Sequence, residues 1–271
     1  MFLPENIDLS HPGKYDLSVR LLPNGFSFYI RHPEDPSVFH FQETDFGGSR
    51  TYADHIKKTL FDAGFFSQEF RRTVVTVVSP HFTLIPDVFF DPGRARSVSD
   101  FNFYRAEGTL LQDDHLYEGY RVLYTVQEEV YAFLSRNLWY PVFHHHTYPL
   151  LRLFKTYRQD EPGKRFFTVF GKEYLTVVGF SEKQLLFANM FSSVNPHDTT
   201  YFIANIWEKS SFDQRSDHLF LSGDLSGQTA VIDILRQLIL HVEEIILTPK
   251  TTLTDKQRES LPTDIVAELC E

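Results

Sequence analysis

Apolar positions change their spacing along the chain in a fixed order. They are dense from Asp16 to Leu22, and Pro23-Asn24-Gly25 then interrupts them with residues suited to a tight turn. Phe26, Phe28 and Ile30 alternate with Ser27 and Tyr29, so two strands joined as a hairpin are predicted over 16–30. A proline-punctuated loop over 32–37 precedes a short strand at 38–41. Tyr52, Ile56, Thr59, Leu60 and Ala63 fall on one helical stripe, with Gly64 near its end. The β-branched run Thr73–Val78 reads as a strand covered on both faces.

The same succession returns later. Strands are predicted at 166–170, 174–180 and 185–191, then a helix at 200–208 capped by Asp198 or Thr199, and a strand at 218–221. Val231, Ile234, Leu235, Leu238 and Val242 form another helical stripe before a last strand at 244–247. The first strands begin at Asp16 and Phe166, 150 residues apart. The helices begin at Tyr52 and Thr200, 148 apart, and the next strands at Thr73 and His218, 145 apart. One α/β unit is therefore expected twice, as a repeat of topology and not of residue identity.

The first copy carries extra material: a strand at 82–90, an Arg-, Ser- and Gly-rich loop at 91–108, a strand at 120–125, a helix marked by Val126, Val130, Phe133 and Leu134, a strand at 141–145 and a helix at 150–157. Residues 249–271 mix Thr, Lys, Asp and Glu around Pro262 and read as a tail or short terminal helix, more solvated than packed. The expected boundaries are a first domain over 12–160, a second over 161–248 and the tail.

Composition narrows the class. The 271 residues suit two domains on a prior of roughly 150 each. With 42% hydrophobic residues, 27 Phe and 13 Tyr, the chain is not a disordered polymer. A formal charge of −10 argues against general nucleic-acid binding, which rests on neutralising phosphates. Cys270 is the single cysteine, so no disulfide framework or multi-thiolate zinc site is expected. No run approaches 18 apolar residues, and the first residues lack a basic segment followed by an apolar one; no membrane insertion and a cytoplasmic location are expected.

Four segments carry a resemblance: LSVRLLPNGFSFYI (17–30), PVFHHHTYPLL (141–151), QLLFANMF (184–191) and HLFLSGDLSG (218–227). Together they resemble the landmarks of an uncharacterised bacterial protein family with an actin-like ATPase fold, over most of residues 15–248. The resemblance implies two tandem ribonuclease-H-like domains of α/β class, and it raises ATP with Mg²⁺ as the cofactor to test. In that fold a hairpin opening each domain wraps the phosphates, usually with an Asp on its first strand, and a Gly-rich turn of the second domain meets the adenosine.

The residues meet this plan in part. The first hairpin has Ser18-Val19-Arg20-Leu21 where an acid is expected, and Asp16 falls too early. The second, Phe166–Phe170, has no acid before its turn, though Gly171 and Lys172 suit a phosphate as well as they suit a plain turn. Leu219–Leu221 leads into Ser222-Gly223-Asp224-Leu225-Ser226-Gly227, with a helix opening near Gln228. Gly223, Asp224, Ser226 and Gly227 can hold a ligand at a strand-to-helix junction, or can punctuate a turn in which Ser226 caps the helix. No Walker A sequence and no GxSxG occurs.

Two further groups invite a function. His144-His145-His146 offers imidazoles for a metal, against a packing role for the same residues. Arg94, Arg96 and Arg105, followed by Asp113-Asp114, read as a self-compensating charged segment or as a phosphate or peptide contact. The leading expectation is a non-hydrolysing binding or scaffolding protein with a protein partner. The alternative is an ATPase or kinase whose carboxylates are displaced to Asp16, Asp45, Asp198 or Asp224.

Overall fold

The computed structural model describes residues 3–4, 6–48, 50–103, 107–115, 119–192 and 195–270. It divides into two compact units, Met1–His146 with Thr251–Leu253, and Thr147–Lys250 with Thr254–Glu271.

The first unit contains β1 (Asp16–Leu22), β2 (Gly25–Arg31), β3 (Phe39–Asp45), α1 (Tyr52–Ala63), β4 (Arg72–Val77), β5 (Phe82–Pro86), α2 (Ala95–Asn102), β6 (Thr109–His115), β7 (Tyr120–Val126), α3 (Glu128–Asn137) and β8 (Val142–His145). Its main sheet runs β3-β2-β1-β4-β8, antiparallel through the first three strands and parallel from β1 to β8. A separate antiparallel sheet, β5-β7-β6, is inserted between β4 and α3. Local chemistry sets the first helix: the Thr51 side chain accepts from Asp54 N, and Gly64 ends it at φ +72°. Ile56 and Leu60 on its inner face are fully buried.

The second unit contains α4 (Thr147–Thr156), β9 (Lys164–Phe170), β10 (Tyr174–Ser181), β11 (Gln184–Ser192), α5 (Pro196–Lys209), β12 (His218–Gly223), α6 (Thr229–Leu238), β13 (His241–Glu244), α7 (Asp255–Ser260) and α8 (Thr263–Cys270). Its sheet runs β11-β10-β9-β12-β13 with the same sequence of antiparallel and parallel pairs. The repeat of topology is thus present strand for strand. The core is aromatic: Phe166, Trp207 and Phe212 pack with Leu175, Ile203, Leu219, Val231 and Leu235. Phe166, Gly179 and Phe187 are direct partners across β9, β10 and β11. The two rings meet 5.3 Å apart, and a Cβ on Gly179 would lie 2.4 Å from the Phe187 ring.

Several expectations change. The 91–108 loop contains α2, because Ala95, Val98 and Ser99 turn one face toward Ile85 and Leu123. Arg105 lies outside the described residues, and so does the side chain of Asp114. Strand β6 was not expected, and the last strand of the second sheet is 241–244 rather than 244–247. Helix α5 starts earlier than predicted, capped by Asn195, whose side chain accepts from Asp198 N. The chain passes between units after His146, so the helix following the histidines belongs to the second.

The tail forms two short helices, of which α7 is exposed and α8 is packed. Thr254 and Gln257 form a capping box on α7, and α8 packs on α4 with Ile265, Ala267 and Leu269 buried. The polar average over 249–271 hides this short apolar face.

Candidate functional site

In the second unit the predicted site residues converge on one end of a parallel strand pair. Gly223, the last residue of β12, is in register with Phe170, the last of β9. The turn over 171–173 and the loop over 224–228 therefore leave the sheet side by side, at the carboxyl ends of parallel strands where open α/β sheets bind ligands. The Phe170 carbonyl accepts from Asp224 N at 2.8 Å and joins the two segments.

The glycines have different reasons. Gly223 has φ +88°, and a Cβ there would stand 2.2 Å from the Phe170 carbonyl oxygen. Close backbone approach within the sheet fixes it as glycine, with no ligand required. Over Gly171 lies the ring of Tyr174, 2.6 Å from where a Cβ would be, while Gly171 N donates to Tyr174 O at 2.8 Å. Gly227 has φ +77° with open space around it. Lys172, Asp224 and Ser226 are exposed.

Asp224 and Ser226 face each other. Ser226 N donates to Asp224 Oδ1 at 3.0 Å, and the Ser226 hydroxyl donates to the same oxygen. This corrects the expected cap: Ser226 is spent on its own turn, and α6 starts at Thr229 with Gln228 at its N-cap position and no side-chain cap. A short Asp-x-Ser turn outcompetes the cap because its partners are two residues apart. Ser222 instead shares a hydrogen bond of 2.7 Å with the Thr263 hydroxyl at the start of α8.

The first unit places its hairpin differently. The turn is Pro23-Asn24, between partners Leu22 and Gly25, and the surrounding chain binds it: Phe46 N donates to Asn24 O, and the Tyr52 hydroxyl to Leu22 O at 2.8 Å. Asp16 is the first residue of β1, seven positions before the turn at the other end of the strand. Its carboxylate accepts from Arg71 Nε at 2.8 Å, Arg71 Nη2 at 2.7 Å and Arg31 Nε at 3.1 Å. Arg20, mid-strand, is buried.

The histidines serve the inserted sheet. Asp113 on β6 is buried, which raises its carboxyl above the usual range despite the hydrogen bonds that favour its charge. It accepts from His145 N at 2.7 Å and from the Tyr124 hydroxyl at 3.3 Å, and lies 3.1 Å from His144 Nδ1. His145 Nε2 is 2.9 Å from Ser79 O and so carries the proton, since a carbonyl can only accept. Burial, with Arg20 adding, lowers the His146 pKa to about 3. Among the described residues no group of three or more His, Cys, Asp or Glu is placed to hold a metal ion.

Arg165 is the side chain that sequence reasoning missed most completely. Only 1% exposed, it donates to the carbonyls of Phe154 and Lys155 at 2.9 and 3.1 Å, and to those of Tyr157 and Glu182. It thereby satisfies the carbonyl end of α4. Its only sequence signal is a charge at the head of an aromatic strand.

Comparison with known proteins agrees with this architecture. A family model described as "Protein of unknown function (DUF3822)" matches residues 4–242, and the chain belongs to that family. A crystal structure from Bacteroides thetaiotaomicron, a protein with actin-like ATPase fold and unknown function, superposes with a TM-score of 0.84 at 23% identity, covering 97% of this chain and 98% of that one. A PilM-PilN type IV pilus biogenesis complex superposes with a TM-score of 0.56 at 15% identity, covering 96% and 98%. No curated protein matches significantly. The chain has the actin-like ATPase fold, with two α/β units of ribonuclease-H-like sheet order. Among the described residues no helix is long and apolar enough to cross a membrane.

Proposed function

We propose that this chain is a non-hydrolysing binding or scaffolding protein built on the actin-like ATPase fold. The observation that carries the reading is the position of the acids. Hydrolysis in this fold needs carboxylates free to hold Mg²⁺ and its waters beside the phosphates. Asp16 sits at the wrong end of β1 between two arginines, and Asp224 is turned into its own loop onto Ser226. Asp198 accepts from Asn195 Nδ2 at 2.7 Å in the first turn of α5. These placements count against Asp16, Asp198 and Asp224 as the displaced carboxylates of an ATPase or kinase; the fourth candidate, Asp45, is the exposed last residue of β3, opposite Gly25 at the first hairpin, and is the acid on which that alternative rests.

A protein partner in the cytoplasm is part of the proposal. It draws on the likeness to the PilM-PilN complex, in which a protein of similar fold is assembled with another. The exposed turn at 171–173 and loop at 224–228 remain the place where a nucleotide would act as ligand and not as substrate.

The test is Mg·ATP turnover and calorimetric titration of the wild type. No turnover is expected, whether or not ATP binds. Turnover above background that is lost in both Lys172→Ala and Asp224→Ala overturns the proposal. Gly223 is unsuitable for this purpose because its substitution breaks the sheet.

A further inference from the structure

Strand β11 is the outermost strand of the second unit's sheet, and its outer side pairs with no strand among the described residues. It runs for nine residues, Gln-Leu-Leu-Phe-Ala-Asn-Met-Phe-Ser, without a charge or a proline. An edge of this kind offers unpaired N–H and C=O groups to any other strand, and proteins ordinarily blunt it with charge, proline or brevity. The other sheet edges are blunted in those ways. Strand β3 carries Glu43 and Asp45, β13 carries Glu243 and Glu244, and β6 carries Asp113 and Asp114. Strand β5 ends on Pro86, and β8 is four residues long.

Strand β11 is protected at one end only. Its register with β10 slips between Gly179–Phe187 and Phe180–Leu185, leaving Leu186 as an extra residue, 40% exposed. From Phe187 to Ser192 the pairing is regular. Helices pack on both faces of the sheet, α5 with Phe202 stacked 4.6 Å from Phe191, and α4 with Phe154 stacked on Phe167. The edge itself stays open, and Asn189 in the middle of the regular stretch is exposed.

Charge selects the occupant. At a net −10, copies of this chain repel one another in general, and β11 is the one long edge where they can meet without facing like charges. Pairing about a two-fold axis sets each residue against itself or its near neighbours. Phe, Asn, Met and Ser accept that arrangement, whereas β3 and β13 would set acid against acid. We infer that two copies of this chain pair antiparallel along β11, with Phe187–Ser192 of one beside the same stretch of the other, so that two sheets become one continuous sheet. The shared ladder is about 20 Å long, so the association is reversible and concentration-dependent. No residue of the 171–173 turn or the 222–227 loop takes part, and the inference stands apart from the proposed function.

Sedimentation equilibrium of the whole chain, from micromolar to near-millimolar concentration, should show the mass rising from one chain toward two. Over the same range the amides of Phe187–Ser192 should gain protection from hydrogen exchange. Asn189→Lys and Asn189→Asp each set a like charge beside its twin, and each should raise the dissociation constant about tenfold or more. An equimolar mixture of the two variants should restore the dimer, which a folding defect in either one would not do. A monomer at every concentration overturns the inference in favour of a strand from another protein. A dimer that both charged variants leave intact overturns it too, as does a mixture that fails to restore association.

Discussion

Asp113 fastens the inserted β5-β7-β6 sheet to the end of β8, and its removal is expected to loosen that joint selectively. The residue is 2% exposed, and His145 and Tyr124 beside it are 0% and 1% exposed. Asp113→Ala leaves the His145 N–H and the Tyr124 hydroxyl buried without their acceptor. Each orphaned donor costs about 1–3 kcal/mol, so a loss of about 3–4 kcal/mol is expected. Asp113→Asn keeps one carbonyl oxygen, enough for the 2.7 Å bond from His145 N, and should cost about half as much. Urea unfolding gives the stability change, and amide exchange locates it, since the His145 amide and those of β6 should lose protection first. Equal destabilisation by Ala and Asn would show that charge, not acceptor geometry, holds the joint. Unchanged exchange at His145 would refute the reasoning outright.

Three other outcomes follow from geometry already described. His146 is held neutral with its pKa lowered to about 3 from an ordinary 6.5, so its contribution is fully present above pH 6.5 and is lost as pH falls toward 3. At pH 5 the loss is about 2 kcal/mol, and in urea titrations at a series of pH values His146→Gln should flatten that slope. Gly223→Ala, blocked both by φ +88° and by the Phe170 carbonyl, should cost more than about 3 kcal/mol, whereas Gly227→Ala, strained in φ alone, should cost about 1–2 kcal/mol in thermal melts. Arg165→Met strands the carbonyl end of α4 and should lower stability by at least about 3 kcal/mol, with Arg165→Lys recovering little because an ammonium cannot span the same set of carbonyls. Urea midpoints of the two Arg165 variants check it.

The duplicated sheet was legible because period and turn residues act locally. Asn24-Gly25 and the alternation of Phe26, Phe28 and Ile30 mark a hairpin wherever it sits in space. What stayed hidden depends on partners distant in sequence. Strand β6 carries Gln112, Asp113 and Asp114 and reads as solvated, yet Asp113 is buried because β8 supplies donors 31 and 32 residues later. Arg165 looks exposed until α4 delivers its terminal carbonyls. The six residues singled out for a ligand lie at one sheet end, and several of them have reasons within the fold that the sequence did not show. Gly223 answers to Phe170, Gly171 to Tyr174, and Ser226 to Asp224 rather than to the helix. A sequence offers Ser226 two partners of equal merit, and only the path of the loop decides between them.

The ring pair over Gly179 has a consequence for how this sheet can vary among relatives. Phe166 and Phe187 meet across β10 only because the residue between them has no side chain. An alanine at 179 demands a smaller residue at 187, and shrinking Phe187 alone opens a void that a side chain at 179 would fill. Positions 166, 179 and 187 should therefore change together or not at all, forming one unit of inheritance spread over three strands.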